Sequence, residues 1–163
     1  AFAGARAKTL ARHRAPLIVT PHPGEAARLA GCDVGAIQAD RVGWARRIAE
    51  QANAVCVLKG HRTIVASADG VAFINSTGNP GMASGGMGDV LTGIVAGLVA
   101  QRLEPLEAAV LGVFLHGLAA DLAVEEDESE ESLTAGAVLE ALSRAYRVVG
   151  GDEPDRAPDA EDE

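Results

Sequence analysis

The chain has 163 residues, a hydrophobic fraction of 48% and an aromatic fraction of 3%, enough for one domain whose core rests on Val, Leu, Ile and Ala, and too apolar for a disordered chain. Its net charge of −9 is local: Gly150–Glu163 carries −6 and Glu125–Glu131 a further −6, which leaves +3 on a body free to receive an anion. With no basic stripe and few rings for stacking, no nucleic-acid partner is expected; with its longest apolar stretches at Val90–Ala100 and Ala108–Ala120, both short of the ~20 residues of a membrane span, neither is a membrane.

The first residues, AFAGARAKTLARH, offer neither an initiator Met nor an apolar leader, and read as a start inside a longer protein. Pro16–Thr20 is a short apolar run stopped by Pro21, Pro23 and Gly24, the pattern of a buried strand ending in a loop. A short helix follows at Glu25–Ala30, closed by Gly31, and a longer one at about Ala36–Gln51, with Ile37, Val42, Trp44 and Ile48 facing inward. Ala54–Leu58 is the second buried strand, and Thr63–Ser67 and Val71–Ile74 flank an Asp69-Gly70 hairpin signal. Asn75–Gly88 is loop by composition. Helices are expected from Asp89 to about Gln101, over Leu106–Val124, and over Thr134–Val149 with Ser132 or Thr134 as the cap. Gly150–Glu163 reads as a disordered acidic tail. Cys32 and Cys56 lack a metal or redox spacing, and two reduced thiols in a cytoplasmic protein are expected. The order is that of an α/β domain, with ligands at the carboxyl ends of its parallel strands.

Three segments carry the chemistry. In Asn79–Asp89, NPGMASGGMGD, the residues Gly85, Gly86 and Gly88 allow unusual backbone angles and close approach, and the turn runs directly into a helix. Free N–H groups and the positive helix end then point at one place, a seat for polyphosphate that is neither a Walker loop nor a dinucleotide turn. A carboxylate there, Asp89, either caps its helix or takes a proton from a hydroxyl attacking phosphorus. Lys59-Gly60-His61-Arg62-Thr63 follows the second strand and puts a lysine where it either reaches a phosphate or sits solvated in a turn. Thr20-Pro21-His22-Pro23-Gly24-Glu25 presents His22 at the same edge, as a ligand group or a hydrogen-bonded structural one. His116 and Asp121, in HGLAAD, read as polar residues of helix packing.

Taken in order, TPHPGEAARLAG, VLKGHRTIVA, INSTGNPGMASGGMGDVLTGIVAGLVAQ and LHGLAADLA resemble the NAD(P)H-hydrate dehydratases of the ribokinase-like superfamily, over roughly Pro16–Val149. The resemblance implies a ribokinase-like three-layer α/β/α sandwich with a mainly parallel sheet. Residues 1–149 would be the C-terminal portion of that domain, its N-terminal part missing. It further implies repair of the hydrated cofactors NADHX and NADPHX with ADP, or ATP, as co-substrate and Mg²⁺ accompanying the nucleotide. On this resemblance Lys59, Gly60, His61, Arg62, Thr63 and Gly88 match nucleotide-binding positions, His22 and Asp89 contact the hydrated dinucleotide, and Asp89 is the base. Gly85 and Gly86 join Gly88 in stabilising the transferring phosphoryl. No carboxylate cluster stands out as a protein-only metal site, so the ion is expected on phosphates and water. Members often assemble as homo-oligomers, and many bacterial ones carry an NAD(P)HX epimerase domain ahead of this one. A small-molecule kinase of the same superfamily would use the same turn and aspartate, because both reactions begin with phosphoryl transfer.

Overall fold

The computed structural model describes residues 7–126 and 128–151, so the tail expected at 150–163 lies outside the described residues beyond 151. Four strands, β1 (Ile18–Val19), β2 (Val55–Leu58), β3 (Ile64–Ala66) and β4 (Ala72–Ile74), form one sheet in sequential order. β1 pairs parallel with β2, while β2–β3 and β3–β4 are antiparallel. This part of the fold is therefore a mixed sheet rather than a mainly parallel one. The links after β2 and β3 are too short for a crossover, and such connections can only reverse the chain.

Helices α1 (Ala7–Leu10), α2 (Pro23–Ala30), α3 (Val34–Ala39) and α4 (Arg41–Ala52) precede β2, and α5 (Met87–Ala100), α6 (Pro105–Glu126) and α7 (Ala135–Gly150) follow β4. The strand residues sort by parity. Cys56, Leu58, Ile64 and Ala66 pack with Ile37, Ile48 and Ala49 on the α3–α4 side. Val55, Val57 and Val65 pack with Leu91, Val95, Ala109 and Val113 on the α5–α6 side. All seven strand residues are buried, which is why the strands read as continuous apolar runs without alternation. The result is the three-layer α/β/α sandwich expected of the ribokinase-like class.

The third layer is double. Leu115, Ala119, Ala120 and Ala123 of α6 pack with Val138, Ala141 and Ala145 of α7. Between the sheet and α7, α6 is the core helix; its 22 residues are long and apolar enough by length and composition to pass for a membrane span. The apolar run Ala108–Ala120 itself stays short of that length; the helix is longer because it continues through Glu107 and Asp121. Its small residues permit the burial: a Cβ on Gly112 would lie 2.7 Å from Val95 Cγ2.

The single helix expected over Ala36–Gln51 is two. Asp40, at φ −144° and ψ 66°, breaks it, and its carboxylate accepts the Gly43 N–H at 2.9 Å to cap α4. Ile37 and Ile48 are buried as expected, while Val42 and Trp44 are half-buried, the indole lying 4.8 Å from the Arg47 guanidinium. Of the two caps considered for the last helix, Thr134 serves, accepting the Ala137 N–H at 3.2 Å.

The α4 cap leaves no room for a side chain at Gly43, since a Cβ there would collide with the Asp40 carboxylate. Gly43→Ala should therefore destabilise the protein by about 1 kcal/mol through loss of the cap. In an Asp40→Ala background the same change should stabilise it by up to about 1 kcal/mol, as alanine ordinarily does in a helix. Urea unfolding followed by Trp44 fluorescence checks the reversal of sign.

Candidate active site

Because β1 and β2 run parallel, with Ile18 opposite Val55, the segments that follow them leave the sheet at one edge. The Lys59 N–H donates to Pro21 O at 2.9 Å and binds the two exits together. The hairpin brings the chain back to the same edge, where the Asn75 N–H donates to Thr63 O at 2.9 Å. The His22 turn, the Lys59 turn and the start of the glycine-rich loop are thus neighbours although they are distant in sequence.

His22 caps α2: its Nδ1 accepts the Gly24 and Glu25 N–H groups at 3.1 and 3.3 Å, and the His22 N–H donates to the Glu25 carboxylate at 2.7 Å. With Nδ1 an acceptor, the neutral ring carries its proton on Nε2, and Nε2 lies 3.6 Å from Glu25 Oε1. The structural alternative for His22 is real, and its ring remains exposed at the edge.

The glycine turn enters α5 two residues earlier than expected. The helix starts at Met87, whose buried side chain anchors it in the α6–α7 core, with Gly86 as N-cap at φ +88°. No side chain caps this end. Of the three glycines only Gly86 is left-handed. Gly88 has ordinary backbone angles but a close neighbour, since a Cβ there would lie 3.1 Å from Lys59 Nζ. Asp89 occupies the first turn, exposed. The uncapped helix start and the lysine ammonium therefore meet at Gly88, a cationic seat with hydrogen-bond donors.

Lys59 Nζ is also 4.0 Å from Glu25 Oε2, so the ammonium stands between the His22 turn and the glycine turn. The Lys59–Thr63 segment is held in shape by two residues. Arg41 donates to Leu58 O and Lys59 O at 3.3 and 3.2 Å and also reaches His61 O. Thr63 Oγ donates to Gly60 O at 3.0 Å. Burial lowers the pKa of the Arg41 guanidinium from its ordinary value. Gly60 at φ +132° and Arg62 at φ +53° make the tight turn.

A cleft of about 530 Å³ opens from this edge. All of Lys59, Gly60, His61, Arg62, Thr63 and Gly88 line it, so the structure gathers these expected nucleotide-binding positions in one place. Gly85, Gly86, Asp89 and His22 are not among its lining residues and stand at its rim or beyond. The sequence reading missed the opposite walls. One is Asn75 to Ala83, and the other is α6, through Val113, His116 and Gly117. HGLAAD thus does more than pack helices. Gly117 lets the loop cross α6, since a Cβ there would lie 2.7 Å from the Thr77 carbonyl carbon. Asp121 accepts from the Gly78 N–H and from Asn79 Nδ2 at 2.7 and 3.0 Å. The signal was available as Gly and Asp spaced along one apolar helix face, which marks a close backbone approach rather than packing alone.

Fold and cleft define a ribokinase-like α/β domain. Residues 2–144 match the NAD(P)H-hydrate dehydratase family, and the chain belongs to it. It is 48% identical over 140 residues to the bifunctional NAD(P)H-hydrate repair enzyme of Moorella thermoacetica, covering 86% of this chain and 26% of that protein. It is 47% identical over 137 residues to the ADP-dependent (S)-NAD(P)H-hydrate dehydratase of Neisseria meningitidis, covering 84% and 46%. The crystal structure of the ADP/ATP-dependent NAD(P)H-hydrate dehydratase of Bacillus subtilis, co-crystallised with ATP and Mg²⁺, superposes with a TM-score of 0.77 at 38% identity, covering 82% of this chain and 48% of that one. The chain spans from about a quarter to about half the length of these relatives.

His116 is 6% exposed, and its Nε2 has no hydrogen-bond partner among the described residues. Burial, and then the nearby Lys59 charge, lower its pKa to about 4. Between about pH 6.5 and 4 the unfolded chain takes up a proton that the folded one refuses, so stability falls as pH falls through that window and levels off below it. The loss should reach about 3 kcal/mol at most. A His116→Gln protein should lack that slope in urea titrations at pH 7, 6, 5 and 4; an unchanged slope would assign it to other groups.

Proposed function

We propose that this chain forms the nucleotide side of an enzyme that dehydrates (6S)-NADHX and NADPHX to NADH and NADPH at the expense of ADP, releasing AMP and phosphate. The observation that carries this reading is the meeting, at Gly88, of the Lys59 ammonium and the uncapped start of α5, with the Asp89 carboxylate in the next helical position. The names of the relatives and the family match favour it over a kinase making a stable phosphate ester.

The chemistry follows from leaving groups. Hydroxide leaves carbon poorly and phosphate leaves it well. Asp89 takes the proton of the C6 hydroxyl, and the oxygen attacks the terminal phosphorus of ADP while the bond to AMP breaks. Lys59 and the N–H groups of the Gly85–Gly88 turn stabilise charge on the transferring phosphoryl. The ring nitrogen lone pair then expels phosphate from C6, and loss of a neighbouring C5 proton restores the dihydropyridine. Lys59–Thr63 hold the nucleotide, and the exposed His22 contacts the dinucleotide. The donor set suits a polyphosphate that brings its own metal: lysine and backbone N–H groups receive phosphate oxygen, while Mg²⁺ stays on phosphate and water and offsets their charge. The free Cys32 and Cys56 fit the reducing cytoplasm, where these cofactors act. An epimerase supplying the (6S) form, fused as the bifunctional relatives suggest or separate, completes the proposal.

The full-length protein mixed with NADHX, Mg²⁺ and ADP should restore reduced-nicotinamide absorbance. Asp89→Asn should slow that recovery at least ~100-fold, the usual worth of a general base, while leaving ADP binding within a few-fold. Equal turnover by the variant would remove Asp89 from the proton transfer. A stable phosphorylated product would replace the dehydratase with a kinase.

A further inference from the structure

We propose that Asp121, read from sequence as a helix-packing residue, is a positioning residue that sets the width of the nucleotide cleft; this rests on the nucleotide reading above. One wall of the cleft is the segment Gly78–Ala83, whose only regular structure is a single 3₁₀ turn at Pro80–Met82. A segment of this kind has few bonds of its own to fix it, so its place is decided by what it is tied to. Asp121 supplies that tie. One carboxylate oxygen accepts the Gly78 N–H at 2.7 Å and the other accepts Asn79 Nδ2 at 3.0 Å, across more than forty residues of sequence. Both donors lie at the entrance of the wall, and the acceptor sits on α6, the helix buried between the sheet and α7.

The arrangement is directional. Asn79 spends its amide nitrogen on Asp121 and its amide oxygen on the Gly81 N–H at 3.1 Å, which closes the turn behind it. Its orientation is therefore fixed at both ends. Thr77 adds a bond from its hydroxyl to Phe114 O at 2.9 Å. On the far side the wall meets the α6–α7 connection: a Cβ on Gly81 would lie 2.5 Å from Glu130 O, and Ser84 Oγ donates to Leu133 O at 3.3 Å. The wall is thus pinned between α6 and the connection that follows it. Asp121 is the only charged group among these partners, and bonds to a charged group are the stronger kind.

The test is an exchange of partners. Asp121→Asn keeps an acceptor for the Gly78 N–H but turns an amide toward Asn79 Nδ2, two donors face to face. It should weaken binding of MgADP about tenfold or more, consistent with loss of a charge-assisted hydrogen bond, and should speed amide exchange across residues 78–83. Asn79→Asp alone places two carboxylates together and should do the same without altering α6, which covers the case in which the α6 change impairs folding. Asn79→Asp combined with Asp121→Asn restores donor, acceptor and net charge with the roles reversed. It should recover MgADP affinity and exchange rates to within about threefold of the original. A residue that serves packing alone would lower Tm in the single variants and leave MgADP affinity unchanged. That result, or a double variant no better than the single ones, would overturn the role. Failure of the unaltered protein to bind MgADP would sink the nucleotide reading itself, and this role with it, even if the exchange rates respond.

Discussion

The parallel pairing of β1 with β2 is the constraint on which the rest of the site depends. In a parallel pair the chain must travel back the length of the sheet before it can form the second strand, and here α2, α3 and α4 make that return. The outcome is that Pro21 and Lys59, 38 positions apart, leave the sheet together and share a backbone hydrogen bond. Had the strands been antiparallel, the His22 turn and the Lys59 turn would lie at opposite ends of the sheet. The short antiparallel strands that follow serve the same edge, because an up-and-down hairpin returns the chain to the end from which it departed.

From that edge the demands pass to α6. The cleft needs a wall facing the Lys59 turn, and the sheet needs a cover over Val55, Val57 and Val65. One helix meets both demands only if it can approach closely, and small residues allow it: Ala108, Ala109, Gly112, Gly117, Ala119 and Ala120 line its buried surface. At Gly112 the neighbour is Val95, and at Gly117 it is the backbone at Thr77. A larger residue at the first would push α5, and with it the glycine turn, off the sheet. At the second it would push the cleft wall away from the helix that holds it. Packing density and site geometry are here the same property.

Much of this was legible in the residues. The buried strands, the hairpin at Asp69-Gly70 and the helix after the glycine turn follow from apolar runs and turn chemistry that local physics decides. Asp40 was not seen as a break, because aspartate inside a helical pattern is unremarkable until its carboxylate is known to cap the second half. The start of α5 lies earlier than the glycine-rich composition suggests, because the buried Met87 fixes the first turn. The walls formed by Asn75–Ala83 and α6 left only a faint trace, the Gly117 and Asp121 spaced along one apolar helix face. Nothing in the sequence distance between Asn79 and Asp121 says that they touch; that depends on α6 lying across the sheet edge, which is a tertiary fact. The location of Lys59–Thr63 after a buried strand and of Gly88 at a helix start was legible in the residues, while their pairing with a nucleotide came from the family resemblance.

The electrostatics of the edge decide what kind of anion it can hold. Lys59 is the one lysine near the seat, and it stands 4.0 Å from Glu25, while Asp89 and Asp121 add two carboxylates to the surroundings. His116 contributes no charge at neutral pH, since burial and the lysine keep its ring unprotonated. Arg62 in the cleft lining and Arg41 against the Lys59 turn bring the cations level with these carboxylates, so net charge alone gives a polyphosphate little attraction. What it offers instead is direction: no side chain caps the start of α5, and an anion that accepts its free N–H groups gains in proportion to how well its oxygens are placed. A seat built this way discriminates by geometry more than by charge. Under the proposed function such a seat would favour a phosphate chain whose charge its own metal offsets, with the Asp89 carboxylate in the first helical turn beside it.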